Sequence, residues 1–130
     1  MARRRASIPK LQVYNNALKM VYSPLTFEQA ILNRKAWGRI FESGIGAYLV
    51  SQAFVHRFEI FYWRERDDEV DFVLRKKGSV VAIEVKSNAE KRTDGLDKFR
   101  KLFNPQAAFI VGDGGISAED FLSMDLRKLF

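Results

Sequence analysis

Three stretches of strand character follow one another in this chain, Glu59 to Arg64, Glu69 to Leu74 and Ser79 to Lys86, with no room for a helix between them. Arg66-Asp67-Asp68 reads as a polar turn between the first two. Arg75-Lys76-Lys77-Gly78 reads as the turn between the second and third, with Gly78 supplying the positive φ that a tight connection needs. Parallel neighbours require a crossover of about a dozen residues or more, so the three segments must form a meander of two antiparallel hairpins. The rest of the chain has to pack on that meander.

Ahead of it, Ile8 to Tyr14 alternates as an edge strand does, with Pro9 at its beginning. Thr26 and Gln29 have the capping-box spacing that starts helices, and the helical signal runs from there to about Phe54. Trp37, Ile40, Phe41, Ile45, Tyr48 and Leu49 recur at three- and four-residue intervals and lie along one helix stripe. Glu42 sits at the margin of that stripe, which half-buries its carboxylate. Gly44 and Gly46 cost a helix about 1 kcal/mol each relative to Ala. Either the helix ends early there, or something packs closely against it. After the meander, Ser87 to Asp94 is a charged loop, and Gly95 to Phe103 is a short amphipathic helix stopped by Asn104-Pro105. Ala107 to Val111 is a continuous apolar run, expected inside the sheet with both faces covered. Gly112 to Gly115 lacks the spacing and the Lys-Ser/Thr of a P-loop and reads as a turn. Ser117 to Phe130 reads as one docking helix. The expected class is α/β, a mixed sheet with a central antiparallel meander flanked by helices.

A chain of 130 residues supports one domain, here 9–130 behind a basic, disordered terminus over 1–8. With no cysteine, a disulfide-stapled scaffold and a thiolate zinc site are both excluded. The 22 basic and 16 acidic side chains leave a net charge of +6, but Arg3, Arg4 and Arg5 supply half of it. No apolar run is long enough to span a bilayer, and no h-region follows the N-terminal arginines, so a cytoplasmic protein without membrane partners is expected.

Three ionisable groups interrupt the apolar hairpin: Asp71 on the second strand, Glu84 and Lys86 on the third. The two-residue period puts Glu84 and Lys86 on one face, with Ile83 and Val85 on the other. A turn centred between 76 and 77 sets Asp71 opposite Ala82, with Glu84 its diagonal neighbour at roughly 7–8 Å. A turn centred between 77 and 78 sets Asp71 opposite Glu84 itself, at about 5 Å. Opposed like charges need compensation, and the candidates are Lys86 and a divalent cation. Two carboxylates with water and phosphate oxygens make the oxygen shell that Mg²⁺ prefers. The chemistry suggested is metal-assisted hydrolysis of a phosphodiester. The meander, if it packs on the helix of Glu42, shares this face with it.

The order of an acidic helix residue (Glu42), an Asp on the second strand (Asp71) and a Glu-x-Lys on the third (Glu84, Lys86), followed by helix and strand, resembles the PD-(D/E)XK nuclease superfamily. Pro9-Lys10-Leu11, Gly38-x-x-x-Glu42, Phe61-Tyr62-Trp63-Arg64, Glu69-Val70-Asp71-Phe72 and Ile83-Glu84-Val85-Lys86-Ser87 are similar to the uncharacterised nuclease-like domain at the C-terminus of many bacterial and archaeal AAA+ ATPases. The resemblance implies a restriction-endonuclease-like core of α-β-β-β-α-β order and Mg²⁺ or Mn²⁺ bound by Asp71 and Glu84. It also implies a supporting catalytic role for Lys86, support from Glu42, and association with an ATPase module or partner. No P-loop lies in these residues, so ATP hydrolysis is not assigned to them.

Lys91, Arg92, Lys98 and Lys101 flank the site in sequence and are the candidates for tracking the phosphates of DNA. Glu90, Asp94 and Asp97 offer the competing role of balancing charge on a solvated helix. Cleavage of both DNA strands would call for a homodimer. The competing function class is an inactive interaction module that holds an ATPase partner. His56, without a second His or a Cys to build a triad, is expected to be a helix-end surface residue.

Overall fold

In the computed structural model, which describes residues 10–89 and 93–130, the Thr26 hydroxyl accepts from the Gln29 backbone and the Gln29 side chain accepts from the Thr26 backbone. This capping box opens helix α2 (Phe27–Leu32), which follows a short helix α1 (Asn16–Val21) capped by Asn15. After Asn33, which caps the next helix, α3 (Arg34–His56) runs 23 residues straight through Gly44 and Gly46. Then come β1 (Glu59–Glu65), β2 (Asp68–Lys76), β3 (Ser79–Lys86), α4 (Asp94–Phe103), β4 (Ala107–Gly112), α5 (Ala118–Ser123) and a 3-10 turn (Leu126–Leu129).

The strands form one sheet in the order β1-β2-β3-β4, antiparallel across the meander and parallel between β3 and β4, with α4 as the crossover. Helices cover both faces. On one, Ile45 and Leu49 of α3 and Phe121 of α5 pack with Phe72, Leu74, Val81, Ile83, Val85 and Val111. On the other, Leu96 and Phe99 of α4 pack with Val70, Val73 and Ala82. Trp63 belongs to that second layer, edge-on to Phe99 and Phe103.

Four expectations need correction. The described part of the first stretch, 10–14, is not a strand: Gln12 donates to the Ser43 carbonyl at 2.9 Å, and this ties the segment to α3 instead of to a sheet edge. β4 lies at an end of the sheet order, not inside it; α4 and α5 cover its two faces, which is why its run is apolar throughout. The tail is two pieces rather than one helix, because the Asp125 carboxylate accepts from the Arg127 backbone and starts a new turn. Finally, α3 packs on the face of Ile83 and Val85, opposite the one to which alternation assigns Glu84 and Lys86. The basic terminus over 1–8 lies outside the described residues.

Candidate functional site: a buried acid and lysine cluster

Gly38, Glu42 and Gly46 recur every four residues and form one line on α3. A Cβ at Gly38 would lie 3.0 Å from the Ser87 Oγ just past β3, and one at Gly46 would lie 2.1 Å from the Gln12 amide oxygen and 2.9 Å from the Phe72 ring. The two glycines let the helix approach β2, the end of β3 and the segment 10–12, with Glu42 held between them. Close packing is therefore what Gly38 and Gly46 serve, whereas a Cβ at Gly44 would meet only Asn16, at an ordinary 3.6 Å.

Asp71 is positioned by an irregularity in β2. Phe61 pairs with Val73 but Trp63 with Val70, so Asp71 and Phe72 together stand opposite the single Tyr62. A bulge of this kind shifts the alternation by one residue and re-aims a side chain. Val70 and Val73 accordingly both face α4, while Phe72 and Leu74 face α3. Asp71 and Phe72 line one pocket of about 180 Å³ with Lys10 and Gln12. The third strand follows the second of the two registers, with Phe72 opposite Ile83 and Lys76 opposite Ser79. At Asp71 the carboxylate takes the ladder's place, and its Oδ2 accepts from the Val85 N–H at 2.8 Å.

That N–H belongs to the peptide unit joining Glu84 to Val85, which brings the Asp71 carboxylate to the β3 backbone beside Glu84. Asp71 and Glu84 are each 2% exposed and Lys86 is 9% exposed. Three ionisable side chains are thus withdrawn from water at one end of the two central strands. Charges are rarely buried so fully unless paired or bound to a cation.

Lys10 was not among the residues assigned to the site from sequence. Its Nζ lies 2.5 Å from Glu42 Oε1 and 3.5 Å from Asp71 Oδ1, with the ammonium 5.5 Å from the centre of the Phe72 ring. Burial works to lower its pKa, but the hydrogen bond to Glu42 and the charges of Asp71, Glu42 and Glu69 outweigh that, holding Lys10 above the ordinary lysine value. The one sequence signal for it was Pro9-Lys10-Leu11, a motif ahead of the first described helix.

The remaining candidates fall elsewhere. Lys98 turns to the β1–β2 hairpin, 3.0 Å from Asp68 and 3.5 Å from Glu65. Lys101 is exposed and shares a pocket with Lys98, Asp68, Asp94 and Asp97. Lys91 and Arg92 lie outside the described residues. His56 ends α3, hydrogen-bonded to Gln52.

Among the described residues no group of three or more His, Cys, Asp or Glu side chains is arranged to hold a metal ion. Mg²⁺ and Mn²⁺ are hard cations that proteins commonly hold by one or two carboxylates, the remaining positions being filled by water and phosphate. The donor chemistry of Asp71 and Glu84, two buried carboxylates on paired strands, fits that mode.

Fold and cluster together define a mixed α/β domain, a four-stranded sheet between helices with a charged site at one end of its central strands. The family described as Domain of unknown function (DUF4143) matches residues 37–121, and the chain belongs to that family. The matched span includes Glu42, Asp71, Glu84 and Lys86, while Lys10 precedes it. No curated protein and no solved structure matches the chain. No helix among the described residues is long and apolar enough to cross a membrane.

Proposed function

We propose that this domain is a divalent-metal-dependent nuclease-like module of PD-(D/E)XK type, with a restriction-endonuclease-like core and DNA as its substrate. The observation that carries the reading is the bulge at Asp71, which brings a buried carboxylate to the peptide next to Glu84 while Lys86 lies two residues further along the same strand. The element order α3-β1-β2-β3-α4-β4 supports it.

Asp71 and Glu84 would hold Mg²⁺ or Mn²⁺, which when bound supplies charge neutralisation at phosphorus and a water of lowered pKa. Asp71 is preorganised for this by the Val85 N–H, which fixes one of its oxygens. Lys86, projecting with Glu84, presents a point charge to a phosphate oxygen. Glu42 orients Asp71 from α3 through Lys10. Lys101, exposed on α4, would contact the phosphate backbone beyond the site.

A second reading is an inactive module that docks an ATPase partner or domain. One observation favours it: Leu11, Tyr14, Leu18, Val21, Tyr22 and Leu32, all ahead of α3, are between 59% and 93% exposed. Large apolar side chains left exposed in such number are a resource for partner binding.

The deciding experiment is a nicking assay on plasmid and branched DNA with Mg²⁺ or Mn²⁺, comparing wild type with Asp71→Ala and Glu84→Ala. Metal-dependent cleavage by wild type and its loss in both variants is the expected result. Equal activity in all three, or none on any substrate, removes the catalytic reading and leaves the docking module.

A further inference from the structure

We propose that Lys10 is a tethered cation that neutralises Glu42 and Asp71 in the metal-free protein and withdraws when a divalent cation binds, so that it sets the metal affinity of the site. The proposal rests on the reading of Asp71 as a metal ligand.

Its basis is the position of the ammonium. Lys10 Nζ stands between a helix carboxylate and a strand carboxylate, on the Oδ1 side of Asp71, while Oδ2 is held by Val85. A divalent ion taking up Asp71 would meet a positive charge already 3.5 Å from that oxygen. Like charges at such separations repel strongly where water is scarce, so the ammonium and the metal compete for one carboxylate. Lys10 has somewhere to go. Its side chain keeps 35% of its surface in solvent, into which the ammonium can turn. The segment can release the side chain without detaching, because Gln12, two residues on, is fixed to the Ser43 carbonyl and sits against Gly46.

The test is Mn²⁺ binding to the full chain by isothermal titration, together with the melting temperature with and without Mn²⁺, for wild type, Lys10→Met, Lys10→Gln and Lys10→Arg. Lys10→Met removes the charge and keeps the stem over Phe72; Lys10→Gln also keeps a donor for Glu42 and covers the case in which the Met variant does not fold. The neutral variants are expected to melt lower without metal, to bind Mn²⁺ about tenfold more tightly than wild type, and to gain more melting temperature from it. Lys10→Arg should behave as wild type. If wild type binds Mn²⁺ and the neutral variants bind it equally or more weakly, Lys10 is a fixed counter-ion and the proposal fails while the metal site stands. If neither wild type nor the neutral variants bind Mn²⁺ at millimolar concentration, the proposal and the metal reading fail together.

Discussion

Two lysines in this domain have nearly the same geometry and different consequences. Lys98 reaches Asp68 at 3.0 Å and Glu65 at 3.5 Å; Lys10 reaches Glu42 at 2.5 Å and Asp71 at 3.5 Å. Both lysine side chains are about a third exposed, 34% and 35%. The anions separate them. The Glu65 side chain is 50% exposed, whereas that of Asp71 is 1% exposed and turned by a strand bulge onto the β3 backbone. A bridge between two surface carboxylates clamps α4 to a hairpin. A bridge that ends on a buried, hydrogen-bonded carboxylate belongs to a site, because that anion cannot fall back on water when its cation leaves.

The comparison breaks most decisively at the anions. Asp71→Ala leaves the Val85 N–H and Lys10 without the carboxylate and should cost about 2–4 kcal/mol in urea unfolding, whereas Asp68→Ala should cost at most about 1 kcal/mol. Equal losses would mean that burial does not distinguish the two bridges. Asp71→Asn retains an oxygen for Val85 and should recover at least about 1 kcal/mol of the Asp71→Ala loss.

Next in size is the notch on α3. Gly46→Ala forces its new methyl against Gln12 and Phe72 and should destabilise by about 1–3 kcal/mol, despite the better helix propensity of Ala. A stabilised variant would show that the Lys10 segment does not need the close approach. The smallest effect is expected in alkali. Both lysines are held above the ordinary value of 10.5, Lys98 by its hydrogen bond to Asp68 and Lys10 by Glu42 and Asp71 against its own burial. Their stabilisation is therefore complete below pH 10.5 and is lost as pH rises through each raised folded value. Denaturant midpoints followed upward from pH 10 should fall less steeply for Lys10→Met than for wild type. Parallel slopes would argue against a charged Lys10 in the bridge.

The meander was legible because its turns have local chemistry. Lys77 and Gly78 both take positive φ, 49° and 89°, and this two-residue loop selects the register that sets Lys76 against Ser79. The acids Asp71 and Glu84 and the cation Lys86 were legible as charges in apolar strands, and Glu42 as a charge at the edge of an apolar stripe. The bulge was not, since nothing in Glu69-Val70-Asp71-Phe72 marks where a pairing will slip; the slip belongs to the partner strand as much as to β2. Lys10 escaped because its partners are Glu42 and Asp71, 32 and 61 positions away, and no periodicity links it to either. The edge position of β4 escaped for a related reason. An apolar run records that both faces are covered and says nothing of which edge is paired.

Whether Asp71 and Glu84 jointly hold one divalent cation is decided by isothermal titration of Mn²⁺ into wild type, Asp71→Asn and Glu84→Gln. One ion bound per wild-type chain, with affinity weakened at least about tenfold in each variant, is the result predicted. Wild type that takes up no Mn²⁺ at millimolar concentration, or variants that bind it as tightly as wild type, would contradict a shared site.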